Sequence, residues 1–483
     1  MDLASARVQK YGGDMNTPLP EAFLTQIAAE FRSDFLTRDP AELEVFGKDW
    51  TKVFAPRAGA VVFPVSTDEV ARLMKLCTKF KIAVVPSGGR TGLAGGAVAS
   101  NGEVVLSLSK MNRMHEVDVL AQTVRVQAGA VTESVHKHCE AHGLTWPVDF
   151  ASKGSSHVGG NIATNAGGVK VIHYGLTRDW VLGLQVVTMG GEVLELNGSL
   201  EKNNTGVDLR QLFIGSEGTL GVITEATLRL ARTPGDLSVF FFAVKDIPAV
   251  LELFQEARRA PFEIMAYEFL THNCLQAVMR NLNVKSPFAH EHGAYVLLEV
   301  QRPKSADAQI FLDGWLAGLF EKDRVVDGTL AQSTREAREL WSLREGIAES
   351  LVRWGFVHKN DIALPIAQLE DFIAEMYQMF AGRHSSLEVY LFGHIGDGNL
   401  HINTMKPADM DKSEFLKQVH EVDKDLFTLV HKHEGSISAE HGIGLLKKAS
   451  LHYSRTPVEI EYFRAIKKIF DPDGLLNPGK IFD

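Results

Sequence analysis

The sequence is poor in cysteine. Cys77, Cys139 and Cys274 stand far apart among 483 residues. So scattered a set offers no disulfide framework and no cysteine-based zinc motif, and fits a reducing compartment, the cytoplasm. No run of eighteen or more apolar residues occurs, so no transmembrane segment is expected, although peripheral attachment at the inner membrane stays compatible. There is no signal peptide; Met15 reads as the native start, after a polar leader of residues 1–14. Basic tracts and interleaved basic–aromatic patterns are missing too, and the formal net charge is −10, which argues against a nucleic-acid partner. Internal repeats, low-complexity segments and obvious linkers are absent. What remains is ordinary globular composition, 45% hydrophobic and 23% charged, long enough for two or three domains with sizeable cores. Glycine is the abundance: 42 residues, clustered.

Residues 18–46 read as two short helical pieces, the second starting near Pro40. Residues 60–89 read as strand, helix, strand. Ser66 and Thr67 cap a helix whose apolar positions Val70, Leu73, Met74 and Cys77 have helical period, and "IAVVP" returns as a strand. The chain therefore begins as a βαβ unit. Strands follow at 238–244, 295–300 and 388–392, with helices between them. Residues 412–435 read as a long helix and 436–440 as a strand.

Three glycine clusters interrupt the first half. "PSGGRTGLAGG" (86–96) follows a strand and has five glycines in eleven residues. Glycine lets backbone N–H groups approach a ligand, and successive amides make a concave anion site. The loop is neither a P-loop nor a Rossmann fingerprint. By itself it reads more readily as a tight surface turn. "GSSHVGGNIATNAGG" (154–168) adds short polar groups suited to a pyrophosphate, and "FIGSEGTLGVIT" (213–224) adds Glu217. Three such clusters in one α/β region suggest a long cofactor threaded across loops, a dinucleotide rather than a mononucleotide.

The stretch "HIGDGNLHIN" (394–403) carries two histidines. Asp397-Gly398 is a strong two-residue turn signal. Centred there, the hairpin sets Ile395 opposite Leu400, His394 opposite His401 and Phe392 opposite Asn403. Opposed residues share a face, so two imidazoles so placed could ligate one ion. On the residues alone, a pair of surface histidines is as good a reading. "HKHE" (431–434) ends a charged helix and reads as a solvated face. Residues 337–355 read as a helix with Arg344 on its apolar stripe of Leu340, Leu343, Ile347, Leu351 and Trp354. A charge there needs a partner; an ion pair, a snorkelling side chain and a clamp on a substrate carboxylate all remain open.

The three glycine clusters, in this order, resemble the flavin-binding domain of the vanillyl-alcohol oxidase/p-cresol methylhydroxylase superfamily. "GHIGDGNLH", "SAEHGIG" and "NPGKIF" narrow the resemblance to FAD-linked D-2-hydroxyacid dehydrogenases, the branch holding D-2-hydroxyglutarate dehydrogenases, D-lactate dehydrogenases and glycolate oxidase subunits. It covers residues 45–482. It implies an α+β chain: a two-part FAD-binding domain over 45–235, an α+β substrate (cap) domain over 236–405, and a C-terminal helical segment, 406–483, completing the active and flavin sites.

The implied FAD contacts are Pro86, Ser87, Gly88, Gly89, Arg90, Thr91 and Gly92 in the first loop. Pro147, Gly154, Ser155, Gly159, Gly160, Asn161, Thr164, Asn165, Gly167 and Gly168 surround the second. Glu217, Gly221 and Ile223 lie along the adenine, and Asn477 reaches in from the tail. Some superfamily members attach FAD through a His in the first loop; here that loop has Arg90 and no His, so non-covalent FAD is expected. The resemblance also implies a divalent metal, zinc in preference to iron or manganese, on His394, His401 and Glu440, with an open position for substrate. His441 would act as base, and Arg344, Lys359, Asn403 and His441 would bind substrate. The branch often has a hydroxyl residue four positions after the Arg; here it is Ala348.

The activity implied is oxidation of a D-2-hydroxyacid, D-2-hydroxyglutarate foremost, because Arg344 and Lys359 offer two cations to a diacid. D-lactate or glycolate chemistry is the alternative within the class. A zinc hydrolase is the rival from another class, and would need no glycine loops. A non-catalytic oxidase subunit would bind FAD without its being reduced. Electron-transfer flavoprotein or a quinone would accept the electrons, and a homodimer is compatible.

Overall fold

The computed structural model describes residues 18–482 apart from 52 and 302–304. Met15 and its leader lie outside the described residues. Ser66 Oγ accepts from the Glu69 amide and starts the helix Thr67–Phe80, which buries Val70, Leu73, Met74 and Cys77. The strands on either side, Ala60–Val62 and Val84–Ser87, are not neighbours. Val104–Ser107 inserts between them, parallel to both, and Leu36–Thr37 closes the far edge of this four-stranded sheet. An antiparallel five-stranded sheet follows, in the order Met114–Asp118, Thr123–Gln127, Val222–Arg229, Val181–Val187, Val193–Leu196. One apolar core joins both sheets, and it includes Phe23, Ile27 and Phe35 from the start of the chain and Leu476 from its tail.

The second body is an antiparallel seven-stranded sheet. Its order is Asp327–Leu330, Leu237–Val244, Ala294–Gln301, Ile264–Thr271, Glu388–His394, Asn399–Met405, Val357–Ala363. Strand residues alternate between faces. Phe240, Phe242, Leu298 and Ile402 pack under the helices Ile247–Arg259, Leu369–Arg383 and Lys412–Lys432. Phe241, Tyr295 and Leu297 face the helices His272–Leu282, Thr334–Glu345 and Ile347–Trp354. Tyr390 and Phe392 of the strand Glu388–His394 join this cluster, and His394, His401, Asn403, Lys359 and Asp361 share their face of the sheet.

Three local readings are corrected. The helix expected over 337–355 is two helices, broken at Gly346, where a Cβ would stand 2.7 Å from the Ser342 carbonyl and 3.3 Å from Val278. Residues 436–440 form no strand; a single bridge joins Ser436 to Ala363, and the segment then turns toward the first body. His433 is not on a solvated face: it is 6% exposed, packs edge-on against Phe372 and bonds Gln368 at 3.0 Å. Among the described residues no helix is long and apolar enough to cross a membrane.

Candidate active site

The hairpin register differs from the expected one by two residues. His394 lies opposite Asn399 and Phe392 opposite His401. The reason is the turn: Ile395–Asp397 form a single 3-10 turn and Gly398 takes φ 82°, so four residues rather than two connect the strands. A two-residue shift keeps every side chain on its face, whereas one residue would have reversed them all. The histidines are therefore diagonal neighbours, Nε2 to Nε2 3.3 Å.

Glu440 arrives from the non-strand segment after the long helix, its Oε1 3.9 Å from His401 Nε2. Single ligand atoms of His394, His401 and Glu440 all lie within 4.8 Å of one another. Tetrahedral zinc with ligand bonds near 2.1 Å separates its ligands by about 3.4 Å, so this donor set fits. Asp361, Glu440 and His441 form a second cluster. There, however, Asp361 already accepts from the amides of Glu440 and His441 at 3.1 Å each and from Asn399 Nδ2 at 2.8 Å.

Two buried carboxylates, absent from the sequence reading, stand behind the histidines. Glu268 Oε1 is 2.7 Å from His394 Nδ1. Asp361 Oδ1 is 3.7 Å from His401 Nδ1, and its Oδ2 is 3.4 Å from His441 Nδ1. Burial opposes the charge on each acid. His394 and Arg344 nonetheless hold the Glu268 carboxyl below its ordinary range, and His441, Lys447 and His401 do the same for Asp361. Burial would lower His394, but Glu268 raises it to about 8. Burial and the neighbouring His394 charge push His401 well down. Glu268, in "AYEFL", was findable as a lone acid in an apolar strand; its partners were not.

Arg344 is 5% exposed. Its Nη2 is 2.7 Å from Glu268 Oε2, its guanidinium lies 4.7 Å from the Phe392 ring centre, and its Nε has no hydrogen-bond partner among the described residues. Lys359 lies opposite Asn403, on the face that carries Asp361 and His401 and two residues, about 6.8 Å, along the strand from them. It is partly buried, burial lowers its pKa, and no acid pairs with it among the described residues. Asn403 is buried, and its side chain makes a long 3.4 Å bond to the Tyr390 carbonyl. Ala348 is exposed and offers no hydroxyl.

The glycine segments line one cleft. Pro86, Ser87, Gly88, Gly89, Thr91 and Gly92 come from the first loop, Gly159, Gly160, Asn161 and Thr164 from the second, and Glu217, Gly221 and Ile223 from the third. His441 lines the same cleft. The wall fits FAD. A Cβ on Gly92 or Gly160 would meet nothing within 4 Å, so backbone lies bare to the cavity, as a pyrophosphate requires. Ser87 Oγ, His157 Nδ1 and Asn477 Oδ1 are buried without a hydrogen-bond partner among the described residues, the mark of a polar ligand's place.

The other expected contacts have the following protein surroundings. Asn165 closes the helix Val158–Thr164 at φ 49°, and its Oδ1 accepts from the Arg178 amide at 2.9 Å. Arg90 lies 4.4 Å from the Phe46 ring centre. Gly154 and Ser155 are exposed and Pro147 is buried. Gly167 backs onto Glu440, and Gly168 onto the Asp149 carbonyl. Glu217, expected along the adenine, lines the cleft while its carboxylate accepts from the amides of Ile443 and Gly444 at 2.7 and 2.8 Å. Asn477 Nδ2 donates to the carbonyls of Gly96 and Glu217. Gly96, Ala97, Leu108 and His157 line the cleft unforeseen; of these, Gly96 and His157 stood inside the glycine clusters.

Comparison with known proteins agrees with this architecture. Residues 58–197 match an FAD binding domain, and residues 233–481 match the C-terminal domain of FAD linked oxidases. A D-2-hydroxyglutarate dehydrogenase of Stutzerimonas stutzeri (strain A1501) is 45% identical over 92% of this chain and 95% of that protein. The mitochondrial D-2-hydroxyglutarate dehydrogenase of Arabidopsis thaliana is 36% identical over 92% of this chain and 79% of that protein. In fold, p-cresol methylhydroxylase with substrate bound superposes with a TM-score of 0.74 at 16% identity, covering 96% of this chain and 98% of that one. 4-Ethylphenol oxidase from Gulosibacter chungangensis gives 0.72 at 16%, covering 95% and 96%. Matched across both domains and nearly end to end by its relatives, the chain belongs to the FAD-linked oxidase family, among the relatives of the D-2-hydroxyglutarate dehydrogenases.

Proposed function

We propose that this protein is an FAD- and zinc-dependent dehydrogenase that oxidises D-2-hydroxyglutarate to the 2-oxoacid. The observation that carries this reading is a convergence. The cleft of the glycine loops is lined by His441, adjacent to the His394–His401–Glu440 group. Two cations with unused hydrogen-bonding capacity, Arg344 and Lys359, belong to the same site. Residues 45–235 would carry the flavin, residues 236–405 the substrate, and residues 406–483 would complete both sites. FAD is held non-covalently in this reading.

When bound, the flavin supplies a hydride acceptor and the metal a Lewis acid for the substrate hydroxyl and carboxylate. His394, His401 and Glu440 would hold the metal. Arg344, fixed against Phe392 and Glu268, turns Nε toward a substrate carboxylate. Lys359 takes the distal carboxylate of a diacid, because a partly buried ammonium without a counter-ion favours an anionic ligand. Asn403 contributes an amide beside it. His441, its Nδ1 facing Asp361, takes the hydroxyl proton at Nε2 while the C2 hydrogen leaves with its electron pair, so C2 becomes a carbonyl carbon. The electrons then pass to an external acceptor, electron-transfer flavoprotein or a quinone.

Anaerobic mixing of the yellow protein with D- and L-hydroxyacids tests this. D-2-hydroxyglutarate should bleach the flavin fastest, and the L-enantiomer should leave it yellow. Faster bleaching by D-lactate would select the alternative within the class. A yellow protein bleached by none would select the non-catalytic subunit, and a colourless one the hydrolase.

A further inference from the structure

We propose that Glu268 is a positioning residue of this reaction: one buried carboxylate fixes the metal ligand His394 and the substrate-binding Arg344 relative to each other. The inference rests on the metal and substrate roles argued above and deepens them.

Glu268 is the only acid in the strand Ile264–Thr271, and it is 1% exposed. A carboxylate so placed needs partners, and it has two. The register sets it directly opposite His394 across the strand pair. Its Oε1 is 2.7 Å from His394 Nδ1 and its Oε2 is 2.7 Å from Arg344 Nη2. The first contact makes Nδ1 the donor, so the lone pair of Nε2 points away, toward His401 Nε2 at 3.3 Å. Outer partners of this kind set the tautomer and ring plane of a ligating imidazole. The second contact is an ion pair that sets the guanidinium beside the carboxylate while Phe392 lies 4.7 Å from it, and Nε has no hydrogen-bond partner among the described residues.

Neither partner is near Glu268 in sequence: His394 comes from the hairpin and Arg344 from a helix laid over the same face. Glu268 is thus the point at which the metal group and the carboxylate clamp share one anchor. A charge-balancing acid would need only one of these contacts. Two contacts from the two oxygens of one rigid group fix a distance, and that distance must match the spacing of hydroxyl and carboxylate in the substrate.

The test uses the full-length holoenzyme and three variants, Glu268→Gln, Glu268→Asp and Arg344→Lys. Zinc retention is read by elemental analysis after equilibration in graded chelator–zinc buffers, and KM and kcat are measured for D-2-hydroxyglutarate with an artificial electron acceptor. Glu268→Gln, of equal size, should hold zinc about 10–100-fold more weakly and raise KM by a similar factor, with FAD content unchanged. Arg344→Lys should raise KM and leave zinc retention at the wild-type level. Glu268→Asp keeps the charge but, one methylene shorter, cannot reach both partners; it should also lose on both readouts, and it decides the matter if Glu268→Gln is recovered without FAD. Wild type that retains no zinc overturns the metal reading and this inference together. Wild type that retains zinc, with Glu268 variants that retain it equally well or that shift only one of the two readouts, overturns this inference alone.

Discussion

Glu217→Gln offers a sharp test of how the flavin cleft and the proton-transfer segment are joined. Glu217 adopts φ 52° in the third glycine loop. Its backbone amide donates to the Ala163 carbonyl at 2.7 Å, and its own carbonyl accepts from Asn477 Nδ2 at 2.8 Å. Its carboxylate crosses to the other segment and takes the amides of Ile443 and Gly444, two and three residues beyond His441. Burial pushes its pKa up while those amides and Lys447 pull it down. A glutamine of the same shape has one acceptor oxygen, so one of the two amides would face an NH2 group. The loss is one charge-assisted bond, about 1.5–3 kcal/mol, plus an unsatisfied buried N–H at about 1–3 kcal/mol. Relief of the buried charge offsets part of this, leaving roughly 2–4 kcal/mol against the correctly placed loop. If that cost falls on the placement of His441, flavin reduction slows by about 30–1000-fold. Single-turnover reduction by D-2-hydroxyglutarate, followed at the flavin absorbance, measures it. A yellow Glu217→Gln protein that reduces within about threefold of wild type, well under 1 kcal/mol, refutes the reasoning.

His401→Ala should lose zinc and turnover but keep FAD, and full activity in that variant, by elemental analysis and assay, would sink the metal site. Zinc binding by the metal-free protein should weaken by about tenfold for each pH unit below about 8. His394 is raised to about 8 and must give up a proton to coordinate, whereas His401 is held low and adds none; competition titrations across pH read the slope. Lys359→Met should lower kcat/KM for D-2-hydroxyglutarate by roughly 10–150-fold, the worth of a charge-assisted bond, and leave D-lactate nearly untouched; equal losses would place Lys359 outside the distal carboxylate site. His441→Asn should slow flavin reduction by roughly 10²–10⁴-fold with FAD and metal retained, and a variant within about threefold of wild type would assign the proton to another group.

The elements that were readable in the sequence rest on local rules. Helix capping at Ser66, the glycine clusters and the presence of a turn near Gly398, though not its four-residue length, each act over a few residues, and each left a signature. So did the shared face of His394 and His401, because strand parity survives an even shift: the register moved by two and the face did not. What local rules could not supply was the partner at long range. At Gly398 the loop packs against a distant segment: its carbonyl accepts from the Leu364 amide at 3.0 Å, and a Cβ there would collide with the Leu364 carbonyl. Asn165, an expected ligand group, also ends a helix with αL backbone, and its Oδ1 accepts from the Arg178 amide. Glu217 lines the cleft and also braces residues 443 and 444, a second role that nothing local announces. Glu268 and Asp361 reach the histidines only because strands far apart in sequence pair side by side. Thus the sequence by itself determined which chemical groups were present and which face each strand offered, since these follow from side-chain type and a period of two. Tertiary structure alone decided which buried charge answers which, because that depends on nonlocal strand pairing and on the return of the chain's last forty residues to its first domain.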